Sequence, residues 1–138
     1  MRRDEVLLGG PNEQRFGLAR AVRVGPFVCV GGTAPIRADG TNVPAEDIEG
    51  QVRRCYEIVA EALRRAGVSV ADVVRTRTLL VDIEDAPVAI RVRKEFLGGT
   101  MPVETIVQVS GFVDPAWRVE IEVDAIVADE HDDVERGG

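Results

Sequence analysis

Between Met101 and Val127 the sequence alternates in two runs separated by a turn-rich stretch. In the first run Val103, Thr105, Val107 and Val109 face one way, and Glu104, Ile106, Gln108 and Ser110 face the other. In the second, Val119, Ile121, Val123, Ala125 and Val127 form an apolar face opposite Glu120, Glu122, Asp124 and Ile126. A period of two in β-branched residues requires half-buried strands, because successive side chains leave opposite faces of a pleated sheet. Turn formers fill the segment between them, so the strands are expected to pair as a wide antiparallel hairpin. One face then packs on a core. The other would carry Glu104, Glu120, Glu122 and Asp124, and four acids on one sheet face must meet water, cations or another subunit.

The rest of the chain supplies more strands and two helices. Val6–Leu8 reads as a short edge strand stopped by Gly9, Gly10 and Pro11. Ala21, Val22 and Val24, then Phe27 to Val30, read as a hairpin about the Gly25–Pro26 turn, ended by Gly31, Gly32, Thr33, Ala34 and Pro35. Apolar residues at Ile48, Val52, Cys55, Tyr56, Val59, Ala62, Leu63 and Ala66 recur at helical spacing, predicting a helix over 46–66. Acids in its first turn and Arg64 and Arg65 in its last suit the helix dipole, and Gly67 is its stop. Gly50 inside it predicts a close contact. A strand over 73–81 places Arg75 and Arg77 on one face and Thr76, Thr78 and Leu80 on the other. A second helix runs from 86 or 87 to 96 or 97, with Val88, Val92 and Phe96 as its stripe. The order is that of an α+β fold: a mixed, mainly antiparallel sheet with two helices on one face. Its open face would bring Arg75 and Arg77 to the acids, with Ile106 and Ile126 between, which predicts burial against a second copy.

Composition narrows the function. The 138 residues fit one domain over 1–128, and the acidic tail 129–138 is expected to be disordered. Hydrophobic residues make up 45%, aromatics only 4%, so the core must be built from Val, Ile, Leu and Ala. A net charge of −7 leaves no basic footprint for nucleic acid or for an anionic membrane. No apolar run has secretory or membrane-spanning length, so the expected location is cytoplasmic. Cys29 and Cys55 have no metal-ligand or CxxC spacing and read as reduced core residues. His131, the one histidine, lies in the tail. No metal site and no cofactor are expected.

The chain resembles the RidA (YjgF) family over about 14–128. Met101-Pro-Val-Glu-Thr105 and Val119-Glu-Ile-Glu-Val-Asp-Ala125 stand where that family has its ProAlaArg and ValGluIleGluAlaxAla strands. Phe16-Gly-Leu-Ala-Arg-Ala-Val22 is similar to its GlyProTyrSerGlnAlaVal, and the strand ending Gly31-Gly-Thr-Ala-Pro35 to its SerGlyGlnxPro. Asp47 to Gln51 matches its helix start, and Ala66 to Asp85 follows its middle. The resemblance implies a chorismate-mutase-like fold, a homotrimer, and small-molecule clefts between subunits where imines and enamines are hydrolysed. It also implies site positions. Leu18 stands for the family's cleft tyrosine, Gly31 for its serine, Ile90 for its asparagine, and Glu104 for the arginine that grips a substrate carboxylate. Glu120 alone keeps its residue, the glutamate that positions or activates the attacking water.

An arginine clamp makes two charge-assisted hydrogen bonds to a carboxylate, and a glutamate in its place repels that group. Simple imino acids held in the usual way are therefore not the expected substrates. Glu120 is the candidate catalytic residue; its other reading is an ion-pair partner across a subunit boundary. If Glu104 and Glu120 share one cleft, their mutual repulsion raises the pKa of one of them. Glu104 reads as a ligand for a cationic or amide group, or as a solvated or Arg-paired residue. Leu18, Gly31, Gly32, Thr33 and Ile106 complete the candidate substrate-binding set, although Gly31–Thr33 also reads as a plain strand-ending turn. Arg20, Arg75 and Arg77 read as anion ligands or as partners of the acidic face. Trp117 reads as a packing plug or a stacking platform. Three functions remain open: imine or enamine hydrolysis, a non-catalytic ligand-binding or regulatory trimer, and a pathway-specific deaminase of the aminomuconate type.

Overall fold

The two alternating runs form strands that never touch. A computed structural model describes residues 1–128; the tail 129–138, and with it His131, lies outside the described residues. Six strands form one sheet: β1 (Arg3–Val6), β2 (Ala21–Val24), β3 (Phe27–Thr33), β4 (Val73–Leu80), β5 (Val103–Gln108) and β6 (Val119–Ile126), in the order β1-β2-β3-β6-β4-β5. The expected β5–β6 hairpin is absent. β4 lies between the two, antiparallel to β6 and parallel to β5. The reason lies in the side chains. On β6 Val119, Ile121, Val123 and Ala125 are all wholly buried, so this strand belongs in the middle of the sheet. β5 exposes Val103, Thr105 and Val107 and fits an edge. A parallel neighbour needs a crossover, and the helix after β4 provides it.

That pairing changes the parity of β5. Thr76 of β4 opposes Glu104 on one side and Val123 on the other. Glu104 and Ile106 therefore lie on the core side of the sheet, against the expectation that placed them with the other acids. The open face keeps Glu120, Glu122, Asp124 and Ile126 from β6 and Arg75 and Arg77 from β4. Arg77 reaches Glu122 and Asp124 at 3.4 and 3.5 Å. Phe27, Cys29, Val103 and Val107 are exposed on the same face.

Three α-helices join the strands: α1 (Pro11–Phe16), α2 (Ile48–Arg65) and α3 (Ala86–Leu97). Helix α2 follows the predicted stripe, burying Val52, Cys55, Tyr56, Val59, Ala62 and Leu63. Asp47 caps it by accepting the Gly50 N–H at 2.8 Å. The Asp47 carboxylate occupies the space a Cβ on Gly50 would need, and this is the close contact that the glycine predicts. Gly67 has φ +79°, as a left-handed stop requires. On α3 Ala89, Val92 and Leu97 are buried; of the expected stripe Val92 is among them and Val88 is only half-buried. Phe96 is half-buried and stacks on Tyr56 with centroids 4.6 Å apart.

The first strand comes earlier than the apolar Val6–Leu8 triplet implies, at Arg3–Val6. The six-residue α1 then starts within the stop at Gly9, Gly10 and Pro11, where no helix is expected from the sequence. Its punctuation was present: Pro11 in the first turn and Gly17 at the left-handed stop, with φ +66°. Glu13 holds it down by accepting the backbone N–H groups of Leu8 and Gly9 at 2.7 and 2.9 Å.

Candidate functional site

The site begins with a bulge. Across β3 and β6, Val30 opposes Val123 and Thr33 opposes Ile121, so Gly31 and Gly32 together face the single residue Glu122. Two residues against one bend a strand and re-aim neighbouring side chains. Gly31–Thr33 is therefore a kink within β3 and not the turn that ends it. Thr33 is wholly buried, and its hydroxyl donates to the Gly31 carbonyl at 2.8 Å, which fixes the kink.

Glu120 lies beside that kink. An ideal Cβ on Gly32 would stand 2.5 Å from Glu120 Oε1. The missing side chain is what gives the carboxylate its seat. Among the described residues Glu120 makes no hydrogen bond and no ion pair within 4.0 Å. Burial pushes its pKa above the usual carboxylate range; Arg20 opposes that rise and Glu122 adds to it. A half-buried, unpartnered carboxylate with a raised pKa is suited to accepting a proton from water.

Around Glu120 opens a cleft of about 740 Å³. Leu18, Gly32 and Arg20 share its lining with Phe16 of α1, Trp117, and Ile58 on α2. Trp117 is buried and donates its indole N–H to Asn42 Oδ1 at 2.9 Å, so it is a fixed wall. Arg20 donates from Nη2 to the Gly32 carbonyl at 2.7 Å. Its guanidinium also stands 3.2 Å from where a Cβ on Gly31 would be, so both glycines of the kink have a charged side chain against them. Burial lowers the Arg20 pKa, while Glu13 and Glu120 oppose that. The Phe16 wall was not foreseen, because it depends on α1.

Of the seven residues singled out from sequence, the cleft gathers Leu18, Gly32 and Glu120. Gly31 and Thr33 stand behind it as backbone support. Glu104 and Ile106 are not in its lining, so Glu104 and Glu120 do not share a cleft within one chain. Glu104 sits under the sheet, where Arg93 of α3 meets its Oε2 at 2.8 Å and Thr78 donates to the same oxygen at 3.1 Å. Oε1 is enclosed without a partner. Burial raises the Glu104 pKa; Arg93 and Thr78 oppose that. The charge-inverted position is thus the Arg-paired residue of the two readings, and Arg93, itself only 13% exposed in its side chain, is the mate. Removing one member of an enclosed pair strands the other. Glu104→Ala is expected to cost about 2–3 kcal/mol, read as a lower urea midpoint at unchanged m.

Among the described residues no group of three or more His, Cys, Asp or Glu side chains could hold a metal ion. Among the same residues no helix is long and apolar enough to cross a membrane. Cys55 is enclosed, which pushes its thiol pKa far up, and it reads as core. Cys29 instead is exposed on the open face, against the reading that placed it in the core.

Known proteins share both sequence and shape. The family model described as Endoribonuclease L-PSP matches residues 13–127. A Streptomyces coelicolor protein, SCO2049, is 34% identical over 120 residues, covering 87% of this chain and 89% of its own. The crystal structure of Rv2704 from Mycobacterium tuberculosis, a member of the YjgF/YER057c/UK114 family, superposes with a TM-score of 0.81 at 37% identity over 91% of this chain and all of that one. Escherichia coli TdcF, solved with bound serine, gives a TM-score of 0.75 at 25% identity over 90% of this chain and 94% of that one. Its name is "Putative reactive intermediate deaminase TdcF". With the alternating strands, the glycine kink and the glutamate beside it in place, this chain belongs to the RidA/YjgF family, which also carries the description Endoribonuclease L-PSP.

Proposed function

We propose that the protein hydrolyses imines or enamines to carbonyl compounds and ammonia in clefts of a homotrimer, with Glu120 as general base. One observation carries this: an ionisable, half-buried carboxylate with no partner of its own, seated against Gly32 in an open cleft. Glu120 takes a proton from water as its oxygen bonds to the imine carbon. The nitrogen, protonated from solvent during that addition, takes the proton from Glu120 as the carbon–nitrogen bond breaks; the new hydroxyl gives its own proton to solvent, and the carbonyl compound and ammonia leave. Both steps need the same group within hydrogen-bond reach, first as base and then as acid. The name and bound serine of TdcF support a small nitrogen-bearing ligand for such a cleft.

Homotrimer formation is supported by the open face. Phe27, Ile126, Val103 and Val107 lie exposed among Arg75, Arg77 and three acids, a mixture that contact between copies would cover. Light scattering at micromolar concentration should give three times the 15.0 kDa chain mass. A 15.0 kDa particle would refute the intersubunit cleft. RNA cleavage is disfavoured, because three carboxylates on the open face repel phosphate and the net charge is −7. The test of the chemistry is ammonia release from imines generated in situ, compared between the wild type and Glu120→Gln.

A further inference from the structure

We propose that Arg20 is the anion-binding residue of this cleft, and that it holds the carboxylate of an apolar α-imino acid beside Glu120. This rests on the reading of Glu120 given above and names the residue of this chain that would hold its substrate. The family motif has glutamine where this chain has Arg20, and arginine where it has Glu104. The positive charge missing from β5 is therefore present instead at the start of β2, inside the cleft.

Three observations support the assignment. First, Arg20 is under-used. Of the five N–H bonds of its guanidinium, the one on Nη2 that meets the Gly32 carbonyl has an acceptor among the described residues. Nε is enclosed and has none. Nη1 also has no acceptor among the described residues and is not enclosed, so it is the donor left for a carboxylate in the cleft. Second, no carboxylate of the described chain competes. Arg20 has no ion pair within 4.0 Å, and its neighbour Glu13 is occupied by the N–H groups of Leu8 and Gly9. Of the other cleft arginines Arg65 is bound to Glu61, while Arg54 and Arg37 each meet one carbonyl as Arg20 does, those of Ile36 and Asn42; Arg20 is the one of them near enough to act on Glu120. Third, Arg20 and Glu120 are tied to one kink. Arg20 is held by Gly32 O, and Glu120 fills the space above Gly32. They are close enough for each to affect the other's charge state, yet not in contact. A carboxylate on Arg20 leaves the adjacent imine carbon next to a water on Glu120. Phe16, Leu18 and Trp117 then wall the side-chain end with apolar surface.

The test compares two imines that differ by a carboxylate. One is made from leucine by an amino acid oxidase; the other, without the carboxylate, is made from isoamylamine by an amine oxidase. For Arg20→Gln we expect KM for the first to rise about 10- to 100-fold, as for loss of charge-assisted hydrogen bonds. Its kcat should stay within about 3-fold, and the second imine should be unaffected. Arg20→Lys should recover part of the loss. Calorimetry with the α-keto acid of leucine gives a readout independent of turnover: its Kd should weaken by the same factor in Arg20→Gln and hold in Glu120→Gln. Equal changes for both imines, or a Kd indifferent to Arg20, overturn the proposal. So does a wild type that binds no α-keto acid. If the wild type turns over neither imine but binds the keto acid through Arg20, the hydrolase reading fails and the anion site stands.

Discussion

Replacing Glu120 by glutamine is expected to lower kcat for imine hydrolysis by about 10²- to 10⁴-fold, the usual range for losing a positioned general base. Glutamine keeps the shape and can still hold a water, but it cannot take the proton. KM should change little, because Glu120 acts on water more than on the bound substrate. The pH profile offers a second signature. On the proposed mechanism Glu120 works ionised, and burial raises its pKa above that of an ordinary glutamate. Activity in the wild type should therefore climb with pH through a value higher than a solvated glutamate would give, then level off. In Glu120→Gln that acidic limb should vanish from whatever rate remains. A variant that keeps wild-type rate and pH limb would remove Glu120 from the mechanism.

The largest stability effect is expected at Gln51. This side chain is wholly buried on α2. Its Nε2 donates to the carbonyls of Val43 and Ala116 at 3.0 and 2.9 Å, and its Oε1 accepts the N–H of Arg118 at 2.9 Å. One amide thus stitches the segment before α2 to the segment that enters β6. Gln51→Leu preserves the volume and leaves two carbonyls and one N–H enclosed without partners. At about 1–3 kcal/mol per stranded group, partly relieved by relaxation, the loss should be about 3–5 kcal/mol. For a chain of this size that lowers Tm by roughly 10 °C or more. Thermal melts at one fixed concentration would show it, since assembly also shifts Tm. A loss under about 1 kcal/mol would mean that water takes over all three bonds.

Much of the architecture can be read in the residues, and the errors have physical causes. Helix α2 carries a cap, a full apolar stripe and a glycine stop, three local signals that agree, and its span is right to within two residues. The alternation of β5 and β6 is equally local and equally right. Which strand each of them pairs with is not local. A turn-rich link between two strands favours a hairpin, but the wholly buried face of β6 and the crossover through α3 decide otherwise. That one error in pairing inverted the face of Glu104 and put it in the wrong place. Glu120 was legible as a candidate because the resemblance and the strand pattern agree on it, and Gly32 because it belongs to the glycine pair of β3. The use of Gly32 was not, because a bulge shows only when two strands are laid side by side. Helix α1 had its proline and glycine punctuation, but its six residues are too few for a periodic stripe.

The position of β6 also governs the order of assembly during synthesis. Among the described residues it is the last strand along the chain, yet β3 and β4 meet only through it. Until residues 119–126 emerge, a nascent chain holds β1-β2-β3 and β4-β5 as two fragments with no hydrogen bonds between them. The long loops that must close before those pairings form carry their entropic cost before any return. The apolar flanks of both fragments are left for that interval without the strand that joins them.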